Sequence, residues 1–357
     1  MNAIPPVFIE RVIWFQCREE LDAIQSLQGS FGKLTTRFAK IMFDAIINVT
    51  SSAGSPNLHI NIDLVTDNTE EKYADSSAKL DFLAKHLKYM DNFMLNIYYS
   101  DENNGIGKWT TVKDEQAFFR IMRSAMVNSY YGHLAVEIDV GGILAGNLTV
   151  ANSLISRVIK NIHPVTSFIK DVSTNWSAWK SFGDEKFQNK ELEALTLRLM
   201  KEGNLLSLRC PNTLNREHHE LLDDVFFQDQ FEVLIIDACS EDDDMFEDCG
   251  LLTRIMRKWI GGMNPTTTKF ITGKGLDKLI EEENDFDFQK SSQEVFPNWL
   301  NCFVNDYINS EEHKVQFYRC NHPVHMDNYA LLFVRWEQQD EIEQTMEFAD
   351  EITLFFV

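Results

Sequence analysis

Cys320, His322 and His325 gather a thiol and two imidazoles in one short stretch, a set that could serve a zinc ion. Structural zinc takes four ligands, usually in paired spacings, and no second pair stands near these three in sequence. They read instead as loop and surface side chains. His218 and His219 are neighbours on a helical pattern, so their rings diverge. Gly105-Ile106-Gly107-Lys108-Trp109-Thr110 lies between a strand and a helix and approaches the dinucleotide-binding fingerprint. It ends on Thr, and no acidic residue answers it about 20 positions later, so a glycine turn accounts for it. Gly273-Lys274-Gly275 lacks the upstream glycine and the following hydroxyl of a phosphate loop. The run Glu241-Asp242-Asp243-Asp244 lacks the central glycine and final glutamate of a calcium loop, and suits the positive end of a helix dipole. No Gly-x-Ser-x-Gly elbow occurs, and no serine, histidine and aspartate fall together along the chain. These residue types predict no catalytic centre, no metal and no cofactor. An enzyme on an α/β fold is the third-ranked alternative, and a nucleotide or metal carried through purification would revive it.

The elements that would hold such residues are clearest between Phe231 and Lys274. Phe231 to Ala238 is a short apolar run with β-branched residues and reads as a buried strand. Leu252, Ile255, Met256 and Trp259 then recur at helical spacing on one face, which makes Trp259 a core residue. Acidic residues precede this helix, Arg257 and Lys258 end it, and Gly261-Gly262 supplies a left-handed cap before Pro265. Thr267 to Thr272 is the next strand. The chain is predicted to repeat this strand–helix–strand unit. Strands are expected at 58–65, 93–99, 133–140, 165–172, 205–209 and 315–319. Helices are expected at 73–89, 114–130, 150–162, 190–200, 217–227 and 294–307. Such alternation calls for parallel strands with helical crossovers, in an irregular leucine-rich-repeat-like array. A doubly wound sheet is the structural alternative. The series closes on Tyr329 to Trp336 and Ile352 to Val357, a β-hairpin expected to cover an otherwise open sheet edge.

Composition narrows the partners. Apolar residues make up 44% and charged residues 25%, as in folded soluble proteins. Lys and Arg total 33 against 55 for Asp and Glu, a net charge of −22. That balance repels phosphate backbones and anionic lipids, so neither nucleic acid nor a membrane is an expected partner. The start of the chain carries no basic, apolar leader, and the six cysteines form no disulfide framework. An intracellular setting, cytoplasmic or nuclear, is expected.

Residues 4 to 43 read as helical throughout. Pro5 and Pro6 suit a helix start, and Phe8, Ile9, Val12, Ile13 and Phe15 follow as a dense apolar set. Leu21, Ile24 and Leu27 make a second stripe, and Phe31, Leu34 and Phe38 a third after Ser30. The pattern Pro5, Phe8, Ile9, Val12, then Leu21 and Leu27, then the Phe31 to Phe38 helix, resembles an F-box. The segment Leu252 to Pro265, with Lys258-Trp259-Ile260-Gly261 and Asn264-Pro265, is similar to the F-box-associated (type 2) domain of the large nematode F-box families. There a Phe-Leu-Lys-x-Trp-Ile-x-Gly core precedes Asn-Pro, and Ile255 and Met256 are conservative departures. The order of the two segments is the family's order.

The resemblance implies two domains. One is an F-box-like three-helix module at 1–43. The other is an α/β array at 44–357, which holds the associated region at about 205–275. It also implies a non-catalytic substrate-recognition subunit of a Skp–cullin–F-box type ubiquitin ligase. Pro5, Phe8, Ile9, Val12, Leu21 and Leu27 would dock on a Skp-type adaptor bound to a cullin, and the array would hold a protein substrate. Alternation along the strands puts Asn61 and Asp63, Asn96 and Tyr98, and Glu137 and Asp139 on one polar face, a candidate substrate face selecting basic segments. The alternative is a stand-alone protein-binding scaffold. It is favoured by Ile4 where the F-box has leucine and by the absence of tryptophan from the third helix.

Overall fold

The computed structural model describes residues 21, 24–26, 30–39, 41–51, 57–65, 75–100, 109–139, 145–176, 189–209, 220–236, 251–263, 268–273, 286, 288–291, 313–325, 327–337 and 351–356. The protein is mixed α/β, and its contacts divide it into two units, Met1–Asn204 and Leu205–Val357.

The first unit is organised on β1, Phe43–Ser51. Phe43, Ala45, Ile47 and Val49 are fully buried while Asp44, Ile46, Asn48 and Thr50 are half-buried, the period of two that a sheet imposes. β1 pairs antiparallel with β2 (Leu58–Val65) and parallel with β3 (Met90–Ser100). The short β4 (Thr110–Thr111) extends the β2 side. On the other side β5 (Tyr131–Asp139) joins β3, and β6 (Ile169–Trp176) joins β5, both in parallel. The parallel strands β1, β3, β5 and β6 therefore stand side by side in chain order, with no reversal of direction along the sheet. A doubly wound sheet needs such a reversal.

Helices fill the connections. α1 (Ser30–Ala39) lays Phe31, Leu34 and Phe38 on Leu21 and Met42. α2 (Ser76–His86) begins at Asp75, whose side chain accepts the Ala78 N–H at 2.8 Å. Its first residue, Ser76, accepts the N–H of Ile62 at 3.2 Å and so satisfies a backbone donor on β2. α3 (Glu115–Asn128) is capped by Asp114 in the same way. It buries Phe118, Phe119, Met122 and Met126. α4 (Ala145–Ile162) packs against β1 and β3 with Leu154, Ile155, Val158 and Ile159 buried. α5 (Lys190–Glu202) starts at the buried Asn189, whose carbonyl oxygen accepts the Glu191 and Leu192 N–H groups. Its amide nitrogen donates to Asn152 on α4. Each buried Leu, Ile or Phe on this side contributes about 1.5–3 kcal/mol. The opposite side of the strands keeps mostly polar, half-buried or exposed residues, with Ile46, Met94 and Ala135 among them.

The second unit begins with parallel strands β7 (Ser207–Arg209), β8 (Val233–Ile236) and β9 (Lys269–Gly273). α6 (Glu220–Phe226) links the first two, and α7 (Leu251–Ile260) the second pair. The strand–helix–strand reading of 231–274 is thus observed. Gly262 takes φ 105° at the end of α7, and the Met263 N–H returns to the Lys258 carbonyl at 3.1 Å. That is the left-handed cap which glycine adopts without Cβ strain. The buried Asp223 of α6 is held by Lys258 of α7 at 2.8 Å and by Arg254 at 3.6 Å. β13 (Glu351–Phe356) lies antiparallel against β9, followed outward by β12 (Tyr329–Glu337), β11 (His313–Asn321) and β10 (Gln289–Lys290).

Several expectations change. The strand series begins at Phe43 rather than Leu58, and the helix before it ends at Ala39, so the helical reading of 4–43 runs four residues too far. The stretch expected as a strand over 165–172 opens as a tight 3-10 turn, His163–Phe168, before β6. The closing hairpin is part of a four-stranded antiparallel set. The helix expected at 294–307 and most of the 1–43 module lie outside the described residues. Among the described residues no helix is long and apolar enough to cross a membrane.

Candidate functional site

The half-buried face of β2, β1, β3, β5 and β6 is built in rungs. One rung runs Asn61, Asn48, Asn96, Ala135, Ser173 across the five strands. The Asn96 amide donates to the Asn48 carbonyl oxygen at 2.8 Å, so a side-chain ladder continues the backbone ladder. The neighbouring rung runs Asp63, Ile46, Met94, His133, Asp171. On the other side of the asparagine rung, His59 is paired with Thr50, and Tyr98 with Glu137. The Tyr98 ring stacks on Trp109 with centroids 6.3 Å apart and planes 12° apart.

The expected face residues fall into this pattern unevenly. Asn61 and Asn96 share a rung with Asn48 between them. Tyr98 and Glu137 are direct neighbours. Asp63 is a rung away and meets Lys79 of α2 at 3.5 Å. Asp139 pairs with Ser100 in register. Of the expected docking residues, Pro5, Phe8, Ile9, Val12 and Leu27 lie outside the described residues. Leu21 is fully buried against Met42 and the α1 stripe, which makes it a packing residue of that segment.

One grouping escapes the linear sequence. His133 Nδ1 lies 2.7 Å from the Asp171 carboxylate, and its Nε2 lies 3.1 Å from the Ser173 hydroxyl. The expectation that no serine, histidine and aspartate come together is therefore corrected. The contact depends on an irregularity: Gly132 pairs with Ile169 but His133 pairs with Asp171, so Lys170 is an extra residue on β6. This bulge turns Asp171 and Ser173 to the side of the sheet where His133 stands. Chemically the trio is a base with an orienting carboxylate and a hydroxyl. Ser173 sits in mid-strand opposite Ala135, where backbone N–H groups lie in the sheet plane and join ladders. Acyl transfer needs such donors aimed at an oxyanion, and this strand geometry does not offer them beside Ser173.

Gly132 makes the junction possible. A Cβ placed there would stand 2.5 Å from the Phe168 carbonyl oxygen, which is backbone and cannot swing aside. Gly132→Ala is expected to destabilise the first unit by about 2–3 kcal/mol. It is also expected to separate His133 from Asp171. Urea unfolding and the His133 ring resonances in NMR check both effects, and unchanged ring shifts would show that the bulge tolerates a side chain.

In the second unit Cys320 is a buried residue of β11 rather than a loop or surface one, and His322 to His325 lie in a built turn. His322 is buried, not on the surface. Its Nδ1 accepts the N–H groups of Val324 and His325, and its Nε2 donates to the Trp259 carbonyl at 2.9 Å. Both ring nitrogens are thus committed to backbone groups. No protein-family model matches this chain, and comparison with curated proteins gives no match.

Proposed function

We propose that this chain is a non-catalytic recognition subunit of a Skp–cullin–F-box type ubiquitin ligase that holds a protein substrate on the polar face of its first unit. The observation that carries the binding half is the one-way succession β1, β3, β5, β6. Helices bury one side of those strands and leave a rigid, polar, half-buried ladder on the other. A leucine-rich-repeat-like arrangement works in the same way, and the series is read as such an array. The ligase half comes from the resemblance of Pro5, Phe8, Ile9, Val12, Leu21 and Leu27 to F-box docking positions. The role requires no reaction in the chain. Tethering raises the effective concentration of substrate near the ligase.

Co-purification with a Skp-type adaptor tests the proposal. The wild-type chain is expected to retain the adaptor. The double variant Pro5→Ala, Ile9→Asp is expected to weaken retention by more than about tenfold, since a carboxylate would enter an apolar contact. Equal retention by the variant overturns the docking half. A wild-type chain that never retains the adaptor leaves the stand-alone scaffold.

A further inference from the structure

We propose that Tyr98, Trp109 and Glu137 form a subsite for an arginine side chain on a basic segment of the partner protein. This rests on the reading of the polar face as partner-binding, and it assigns the chemistry that the face selects.

The carboxylates of the face divide into engaged and unengaged. Asp63 meets Lys79, Asp171 meets His133, and Asp44 accepts from Asn92. Glu137 is exposed and, among the described residues, has neither an ion pair nor a hydrogen bond through its side chain. Among the described side chains Glu137 is thus the carboxylate of this face left open to an external cation. Tyr98 stands opposite Glu137 on the adjoining strand, about 5 Å away in a sheet. The ring of Tyr98 is braced by the stacked Trp109 and is only half-buried. A guanidinium laid on that aromatic pair would therefore meet Glu137 with its N–H groups.

Arginine fits this better than lysine because its planar head stacks on a ring and still donates sideways to a carboxylate. The protein already uses this contact elsewhere: Arg319 lies over the Tyr329 ring at 4.1 Å. The net charge of −22 adds a long-range attraction for basic segments. It does not by itself distinguish arginine from lysine, and the local geometry does.

Fluorescence anisotropy with labelled Gly-Arg, Gly-Lys and Gly-Glu repeat peptides on the full chain tests the subsite. The Gly-Arg peptide is expected to bind at least about fivefold more tightly than Gly-Lys, and Gly-Glu not at all. Glu137→Gln should weaken Gly-Arg about tenfold, and Tyr98→Leu should abolish the preference for arginine over lysine. Asp81→Asn on the exposed side of α2 changes the net charge equally and should leave the affinity within about twofold. The proposal is overturned if no peptide binds, if Gly-Lys matches Gly-Arg, or if Glu137→Gln and Asp81→Asn act alike. Circular dichroism confirms that each variant is folded. Adaptor retention reads the ligase half separately: peptide binding without the adaptor refutes that half alone, and the converse refutes the subsite alone.

Discussion

Trp259→Ala is expected to destabilise the second unit by about 3–5 kcal/mol, the range for removing a fully buried large aromatic side chain. Trp259 has no exposed surface, and it ends a stripe on α7 in which Leu251, Ile255 and Met256 are also buried. Its indole meets the His322 ring edge-on at 4.9 Å and the Phe356 ring at 5.5 Å. Phe356 in turn meets Phe226 on α6 at 5.5 Å. The ring thus ties α7, the last strand, α6 and the His322 turn into one apolar core, and alanine would leave a cavity that none of these elements can close alone. Trp259→Phe separates packing from polarity. Among the described residues the buried indole Nε1 has no hydrogen-bond partner, so phenylalanine removes a donor that they leave unsatisfied along with some volume and should cost only about 1 kcal/mol. Urea unfolding by far-UV circular dichroism, with hydrogen exchange on β8, β9 and β13, assigns the loss to the second unit. A cost for Trp259→Ala no larger than that for Trp259→Phe would show that α7 does not anchor this core.

The α7 side of that core was legible because its signals are local. The spacing of Ile255, Met256 and Trp259, with glycines after them, defines a helix, its inner face and its end. β1 was not legible, although its burial alternates cleanly. Ile46 lies on the half-exposed side between Ala45 and Ile47, so the residue types show an unbroken apolar run where the strand alternates. Losing β1 also hides Asn48, and with it the asparagine rung that joins Asn61 to Asn96. The face residues proposed from β2, β3 and β5 needed that strand between them.

The His133 grouping failed for a different reason. His133 shares the parity of Ala135 and Glu137, so its side of the sheet could be read from alternation. Asp171 and Ser173 could not, because an extra residue at Lys170 resets their register with β5. Nothing local in sequence marks that bulge except Gly132, and glycine has many other uses. His322 shows the same limit: a histidine beside Pro323 reads as a loop residue, yet long-range contact with Trp259 buries it.

Lys269 carries the second large effect. It is fully buried, and its ammonium donates to the Gln228 carbonyl at 2.7 Å and to the Phe231 carbonyl. Those carbonyls close the turn between α6 and β8. Lys269→Ala removes the ammonium from both, leaving the Gln228 carbonyl only the Phe231 N–H at 3.1 Å, and leaves a cavity, and is expected to cost about 3–4 kcal/mol. Lys269→Met keeps most of the stem and removes a buried charge, so its cost should be smaller, about 1–2 kcal/mol. The pH dependence identifies the charge. Burial lowers the Lys269 pKa below 10.5, against the opposing pull of Asp229 and Glu232. Between the lowered folded value and 10.5 the unfolded chain binds more protons, so this group makes stability rise with pH. Lys258 has the opposite sign. Burial works to lower it, but hydrogen bonds from its ammonium to Asp223 and Asp224 outweigh burial and raise it above 10.5. Its contribution is complete below 10.5 and is lost only as pH climbs through the raised value. Lys258 is present in both chains compared, so the difference between wild type and Lys269→Met isolates Lys269. That difference should widen in favour of wild type as pH rises from neutrality toward 10.5 in urea titrations. A difference that stays flat or narrows would mean that the Lys269 ammonium is as well solvated by its two carbonyls as by water.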